Sequence, residues 1–403
     1  MSILHVDLNS FYAHCSIRHS GGKYRNDMPI IIGGDPAKRH GIVLAATYVV
    51  KRQGIHAGMP IIKAVQLCPE AIVIPPDYRL YTVCSEQFMN IVREYSPTIM
   101  RYGIDEAYID YTGCEHLFGS AKEVAYAIKE RVKLELGITV SVGVGDNPLM
   151  AKMGSDYKKP DAVTIVDGEF WRKNIMPLSV DKLMYIGRST AKRLNEMGIY
   201  TIGELALTSE SMLVAVFGVM GRQMWQHANG IDKPRLERSE AVHKSMSCAC
   251  TFPENLKEIS EYHAAILTQL DKVSYRMRIT GQKALGVGVS VRYSDLSYKS
   301  KQIKLNRATD ITDELYAASL KIADGLYGSK PIRQVGVKLF DLSSFGEQLL
   351  LIDDDVHEKR KKADTAIDSI RERFGMQSIF RGATVMQSLQ EVVENDFDPF
   401  DRC

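Results

Sequence analysis

The stretch Thr98-Ile-Met-Arg-Tyr-Gly-Ile-Asp-Glu-Ala-Tyr-Ile-Asp-Tyr-Thr112 sets two adjacent carboxylates, Asp105 and Glu106, inside an apolar, strand-forming run. Strands disfavour both residue types, and ionised Asp and Glu are rarely buried unless paired or bound to a metal. Their presence therefore asks for a compensating partner, and a divalent cation would be one. A second acid stands near the N-terminus, where Ser2-Ile-Leu-His-Val6 reads as a strand that delivers Asp7 and is followed by Leu8-Asn9-Ser10-Phe11-Tyr12-Ala13. If the two strands are neighbours, three carboxylates converge. Taken alone, each element has a plainer reading: an exposed hairpin turn for Asp105-Glu106, a strand end or helix cap for Asp7.

The chain has 403 residues, enough for two to four domains with sizeable cores. Hydrophobic content of 45% and charged content of 25% are ordinary globular values and argue against disorder. A net charge of +2 carries no whole-chain signal for nucleic acid, so any cationic surface must come from uneven distribution. The distribution is uneven. Lys272, Arg276, Arg278, Lys283, Arg292, Lys299, Lys301, Lys304 and Arg307 make nine basic residues against one acidic, Asp295. Seven scattered cysteines lack zinc-site spacing and disulfide density, and read as reduced thiols in a cytoplasmic protein. No apolar run approaches the roughly 18 residues of a membrane span, and no signal peptide is apparent. The expectation is a protein with no membrane partner.

Short β-rich runs alternate with helical patterns over the first 165 residues, as in an α/β domain, with an insertion over about 13–76 that ends at Pro75-Pro76-Asp77-Tyr78. Residues of about 166–232 read as two helix-hairpin-helix units. In the first, Tyr185-Ile186-Gly187 precedes a helix from Arg188, Gly198 stops it, and Thr201-Ile-Gly-Glu204 is a capping box. In the second, Phe217-Gly218-Val-Met-Gly221 leads a helix that stops at Asn229-Gly230. Such hairpins either hold DNA phosphates on main-chain N–H groups at a helix N-terminus or serve as packing turns. Gly230 to His243 has linker character. Beyond it the pattern predicts a helix over 256–280, strands over 284–293 and 299–305, a helix over 310–327 and a strand over 332–340. Two helices on one face would leave a basic sheet face open.

These motifs, in this order, resemble the Y-family, lesion-bypass DNA polymerases, closest to the bacterial DNA polymerase IV (DinB/UmuC-like) branch. The likeness is carried by His5-Val6-Asp7-Leu8-Asn9-Ser10-Phe11-Tyr12-Ala13, Gly54-Ile55-His56-Ala57-Gly58-Met59-Pro60, Tyr102-Gly-Ile-Asp-Glu-Ala-Tyr-Ile-Asp110, Ser141-Val-Gly-Val-Gly145 and Ala151-Lys-Met-Gly-Ser-Asp-Tyr-Lys-Lys-Pro160, and covers about 370 residues. It implies an α/β and α+β multidomain chain in the right-hand polymerase arrangement. The ferredoxin-like palm would be 1–12 and 77–165, the fingers 13–76, the helix-hairpin-helix thumb 166–231, a linker 232–243, the α+β little finger 244–342 and a tail 343–403.

The resemblance also implies chemistry: nucleotidyl transfer from a dNTP to a primer 3′-hydroxyl on a DNA template, of low fidelity and without proofreading. Two Mg²⁺ ions, or Mn²⁺ in their place, would be held by Asp7, Asp105, Glu106 and the Leu8 carbonyl. Ser10 and Phe11 amides, Tyr48, Lys51 and Lys159 would meet the triphosphate, Leu44 and Ala45 would cover the base pair, and Tyr12 would be the steric gate that excludes a 2′-hydroxyl. Ile186, Gly187, Gly218, Gly221, Arg292, Lys299, Lys301, Lys304 and Arg333 would contact primer-template DNA. Gly346-Glu-Gln-Leu-Leu-Leu-Ile-Asp353 looks like a sliding-clamp peptide through Gln348, Leu349 and Leu351, although its terminal aromatic is missing. The expected protein is a monomer, cytoplasmic and nucleoid-associated.

Several residues depart from the family pattern. Lys51 stands where Arg is usual, which keeps the charge and loses the bidentate fork, with Arg52 as a possible substitute. Leu44-Ala45 replaces two small or hydroxyl-bearing residues, Asn9 replaces a further acid, and Tyr185 replaces a glycine. Two other classes compete with the polymerase reading. A palm-fold nucleotidyl cyclase would use the same acids but needs no hairpins or basic sheet. A catalytically inactive DNA-binding repair scaffold would not need the acids intact.

Overall fold

The computed structural model describes residues 2–35, 41–232, 236, 243–328, 330–344 and 355–384. Two compact units partition the chain, Met1–Ala37 with Gly41–Ser239, and Lys38–His40 with Glu240–Cys403. The segment with Gln348, Leu349 and Leu351 lies outside the described residues. No described helix is long and apolar enough to cross a membrane.

Strands of the first unit are, in chain order, β1 (Ile3–Leu8), β2 (Ile30–Gly33), β3 (Val43–Ala46), β4 (Ile72–Ile74), β5 (Thr98–Arg101), β6 (Glu106–Asp110), β7 (Val140–Gly145) and β8 (Val163–Val166). β1 is buried along its whole length, as a short apolar run between turn signals should be, and it centres a five-stranded sheet of order β5-β6-β1-β7-β8. All pairs are antiparallel except β7–β8. Alternation then divides β1. Leu4, Val6 and Leu8 enter a core made with the helices Tyr78–Arg93 and Ala121–Leu136, while Ile3, His5 and Asp7 take the opposite face.

That second face is covered by the helix Pro148–Tyr157, which lies unusually close to the sheet. A Cβ on Gly143 would come 1.9 Å from the Ala151 carbonyl oxygen and 2.4 Å from the Ser155 nitrogen, so only glycine fits beneath this helix. Sequence reading treats Ile99 to Tyr111 as one strand. Tyr102 to Asp105 in fact turn the chain between β5 and β6, and Ser85 Oγ donates to the Ile104 carbonyl to hold that turn.

Residues between the first helix and Tyr78 form a separate three-stranded sheet of order β3-β2-β4. Its strand β2 is shared, because Ile30 and Ile32 pack in the large core while Ile31 packs with Val43, Val50, Ile55 and Ile61 in a smaller one. Helices Arg188–Glu196, Ile202–Leu207, Glu210–Phe217 and Val219–Ala228 gather around Trp171, Ile175, Leu194 and Leu213, and Leu149, Met150 and Met153 join the same cluster.

The second unit holds β9 (Ser245–Leu256), β10 (Lys283–Tyr293), β11 (Tyr298–Thr309) and β12 (Ile332–Ser343) in an antiparallel sheet of order β11-β10-β12-β9. Helices Ile259–Ile279 and Thr312–Ala323 cover one face over a core that includes Phe252, Leu270, Val289, Leu315 and Val337. Strand β9 is absent from the sequence expectation, and so is the docking of the helix Asp355–Phe374, which falls within the proposed tail. Arg278 reaches Asp368 at 2.6 Å, the almost fully buried Arg371 reaches Asp271 at 2.5 Å, and Arg381 reaches Asp364 and Asp313 at 2.6 Å each. Buried pairs of this kind hold position rather than add stability, since each ion loses its hydration.

Candidate active site

β1 and β6 run antiparallel with Asp7 directly opposite Glu106, and the Leu8 N–H donates to the Asp105 carbonyl at 3.0 Å. The register brings together the three acids singled out from the sequence. They do not form a cage by themselves: among the described residues no group of three or more His, Cys, Asp or Glu is spaced to hold a metal ion. Lysines meet them instead, Lys152 between Asp7 and Glu106 and Lys159 against Asp7. Lys152 Nζ lies 3.0 Å from Glu106 Oε1 and 3.3 Å from Asp7 Oδ2, and Lys159 Nζ lies 2.8 Å from Asp7 Oδ2. Asp156 closes the ring, 3.4 Å from Lys152 and 2.8 Å from Lys159.

Burial acts on these groups unequally. It raises the Asp7 carboxyl above the usual range in spite of Lys159 and Lys152. Burial, then the charges of Asp7 and Glu106, push Asp105 up to about 6. For Glu106 the effect of burial is outweighed by His5, whose Nε2 is 3.3 Å away, and by Lys152, so its carboxyl stays well below the usual range. Glu106 Oε2 is buried and faces only His5 Nε2, at 3.3 Å. Hard carboxylate oxygens, one facing an ammonium at 3.0 Å and the other only the His5 ring, suit a divalent cation.

A second group of residues assembles beside the acids. Ser10 holds φ of 47°, a left-handed residue that starts the helix Phe11–Arg18, and no side chain caps that helix. Lys51 Nζ donates to Ser10 Oγ at 2.7 Å and lies 4.6 Å from the centre of the Tyr48 ring. The Tyr48 hydroxyl donates to Asn9 Oδ1 at 3.3 Å, which also accepts from Ser141 Oγ at 2.9 Å. Asn9 thus organises hydrogen bonds where a further acid is usual. Burial and then the charge of Lys159 pull the Lys51 ammonium down, as expected where two cations share one anion pocket. Arg52 caps the C-terminal end of the short helix Tyr48–Lys51, and it is Lys51 that donates to Ser10.

Tyr12 is half-buried and stacks on Tyr81 with ring centres 4.3 Å apart, while Tyr78 meets it edge-on at 6.1 Å. Phe11 is buried in the core, so only its main chain can meet a ligand. Leu44 and Ala45 are half-buried on β3, and Ala45 packs against the large core.

The DNA-facing residues are divided by the structure. At the first hairpin the Ile186 side chain is buried and its N–H donates to the Leu183 carbonyl, whereas Gly187 is exposed at the uncapped start of Arg188–Glu196. Tyr185 keeps φ of 71°, the conformation the usual glycine adopts freely, with its ring exposed. Gly218 has φ of 63°, but the Gly221 N–H donates to Gly218, and a Cβ there would lie 2.1 Å from the Leu213 carbonyl oxygen. Gly221 is a packing residue. In the second unit Lys304 pairs with Gly286, and Arg292 with Tyr298 and Gln334, on the open face of the sheet. Lys299 and Lys301 pair with the buried Val291 and Val289, and so belong to the helix-covered side. Arg333 sits at the register shift beside Arg292–Tyr293. The run of nine basic residues is therefore not one surface, since Arg278 is held by Asp368 and Arg307 by Glu314.

Residues 6–156 match the impB/mucB/samB family, and residues 243–351 match the C-terminal domain of that family. A DNA polymerase IV of Acetivibrio thermocellus is 35% identical over 386 residues, covering 94% of this chain and 96% of its own. A DNA polymerase IV of Pelotomaculum thermopropionicum is likewise 35% identical, covering 95% of each. Among solved structures, a Y-family DNA polymerase chimera of Dbh and Dpo4 aligns with a TM-score of 0.73 at 26% identity, over 85% of this chain and 99% of its own. The chain belongs to the Y-family DNA polymerases. It is a DNA-directed DNA polymerase of the lesion-bypass kind, with the mixed α/β multidomain architecture of that family. The insertion ternary complex of Dbh DNA polymerase also aligns, with a TM-score of 0.59 at 25% identity, over 85% of this chain and 99% of its own.

Sequence reading passed over His5, Lys152, Ser155 and Asp156. Their signals were present: His5 is two residues before Asp7 on the same strand face, and Lys152, Ser155 and Asp156 share one helix face at spacings of three and four.

The raised carboxyl of Asp105 has a consequence for stability. Unfolded, it titrates near 3.8; folded, near 6. Between these values the folded chain holds a proton that the unfolded chain has lost, so the contribution of this group to stability falls as pH rises across the window and is constant above it. Asp105→Asn should therefore be more stable than wild type in chelator at pH 7.5, by up to about 2 kcal/mol, and the gap should narrow towards pH 4. Urea melts at the two pH values measure this, and equal stabilities at pH 7.5 would contradict the burial argument.

Proposed function

We propose that Asp7, Asp105 and Glu106 are the catalytic acids of a two-metal nucleotidyl transfer that joins a dNTP to the 3′-hydroxyl of primer-template DNA. The observation that carries this reading is the pairing of Asp7 with Glu106 across β1 and β6, with Asp105 one residue away. Bound Mg²⁺ or Mn²⁺ would neutralise charge on the attacking and leaving oxygens of an in-line displacement. Asp7, Asp105, Glu106 and the Leu8 carbonyl would hold the two ions. Ser10 and Phe11 amides, Tyr48, Lys51 and Lys159 would hold the triphosphate, for which Lys159 must leave Asp7. Tyr12, fixed by Tyr81, would exclude a 2′-hydroxyl, and Leu44 and Ala45 would cover the base pair.

The palm would span 1–12 and 77–165, the fingers 13–76, the thumb 166–231 and the little finger 244–342. DNA would be held by the Gly187 and Gly218 turns and by Arg292 and Lys304, with Lys338 added on the same open face. These contacts are to phosphate and blind to sequence.

Glu106→Gln should lower primer extension by at least roughly a thousandfold while primer-template affinity stays within about twofold of wild type, because charge neutralisation and DNA grip are separate. Extension near the wild-type rate would overturn the assignment. Extension by wild type with Mg²⁺ and the four dNTPs also separates this reading from a cyclase and an inactive scaffold.

For the open sheet face, Arg292→Ala and Lys304→Ala should each flatten the slope of log affinity against log salt by about one, and Lys299→Ala should leave it nearly unchanged. An equal effect at all three positions would mean that the sheet register does not select the contacts.

Gln348, Leu349 and Leu351 are proposed to dock on a sliding clamp, a tether that raises local concentration on the primer without new DNA contacts. Replacing all three with Ala should abolish clamp-stimulated product length and leave unaided extension intact. Stimulation that persists would place the contact elsewhere.

A further inference from the structure

We infer that Lys152 is a positioning residue for the acid centre: its ammonium holds Asp7 and Glu106 together before cations arrive and gives up that charge-balancing role to them. The inference rests on the reading of Asp7, Asp105 and Glu106 as cation ligands.

Like charges directly opposite each other on one face of an antiparallel pair repel, and Asp7 faces Glu106 in that way on two largely buried side chains. Without a cation between them, the strand ends would separate or a carboxyl would take up a proton. Lys152 Nζ is that cation, 3.0 Å from Glu106 Oε1, 3.3 Å from Asp7 Oδ2 and 3.4 Å from Asp156 Oδ2, with its side chain 12% exposed.

Its position is set by the backbone rather than by chance rotamer choice. The close approach at Gly143 presses the helix Pro148–Tyr157 onto the sheet. Ser155 Oγ then donates to the Lys152 carbonyl at 2.9 Å and meets His5 Nδ1 at 2.8 Å, which ties the helical turn that carries Lys152 to the strand that carries Asp7.

Lys159 differs. Its side chain is 29% exposed, it touches Asp7 but not Glu106, and its charge acts on Lys51 and Tyr48 in the anion pocket. Lys159 is placed to leave for a phosphate, whereas Lys152 serves both carboxylates until cations take over its charge.

The test is thermal unfolding of the full chain in EDTA and in millimolar Mn²⁺, for wild type, Lys152→Met and, as a variant that keeps a polar head, Lys152→Gln. In EDTA, Lys152→Met should melt roughly 4–8 °C below wild type, because Glu106 loses its ammonium partner and Asp7 loses one of two. In Mn²⁺ most of that gap should close, so the metal-induced rise is larger in the variant than in wild type. A variant that folds only with Mn²⁺ supports the inference in the same way. A deficit of equal size in EDTA and Mn²⁺, or failure of both variants to fold under either condition, would reduce Lys152 to a packing side chain and overturn it. Wild type that gains nothing from Mn²⁺ would instead sink the cation-ligand reading itself, whatever the variants do.

Discussion

Two carboxylates face each other across the central strands of the large sheet, and the rest of the first unit is arranged around the cost of keeping them there. Asp7 and Glu106 meet on the face of β1 that does not enter the large core, so the apolar residues Leu4, Val6 and Leu8 can anchor the strand while its other side carries charge. Gly143 brings a helix close, and with it Lys152 to within bonding distance of that charge, Ser155 to His5 and Asp156 to the lysines. The result is a ring of alternating sign in which no carboxylate lacks a cation and each lysine has at least two acids. Preorganisation of this sort is what an electrostatic active site needs, since groups already in place do not have to be reoriented as reaction charge develops.

Much of this was legible in the sequence because it is written with short periods. The short apolar run of β1, the apolar flanks of Asp105-Glu106 and the capping box Thr201–Glu204 are local signals, and the structure shows each of them as a strand, a turn or a cap. The polymerase family was legible for a different reason, the order of several motifs along most of the chain, which the family matches bear out. What remained hidden depends on partners distant in sequence. Nothing near Lys152 announces Glu106, 46 residues earlier. Gly221 read as part of a phosphate loop because its packing partner, the Leu213 carbonyl, is visible only once two helices cross.

The basic strands show the same limit in another form. A count of charges along residues 272–307 cannot say which side of a sheet each side chain takes. Register decides that Lys304 lies on the open face while Lys299 and Lys301 do not, and a one-residue slip would exchange them. Strand β9 was missed although Ser245-Met-Ser-Cys-Ala-Cys-Thr-Phe252 alternates with period two, because its small residues carry little hydrophobic contrast. Residues 356–374 read as a charged helix of the tail, and the structure has that helix at Asp355–Phe374; what the sequence does not show is that Asp364, Asp368 and Arg371 are spent on Arg381, Arg278 and Asp271.

Strand β2 bears on how such an enzyme admits a substrate. Its alternate isoleucines belong to different cores, Ile30 and Ile32 to the large one and Ile31 to the small one, and both are dry. A swing of the small sheet as a rigid lid would draw two isoleucines out of a packed interior, at a cost of several kcal/mol on the scale of about 1.5–3 kcal/mol per fully buried side chain. The shared strand therefore ties the small sheet to the large core and opposes a hinge at β2.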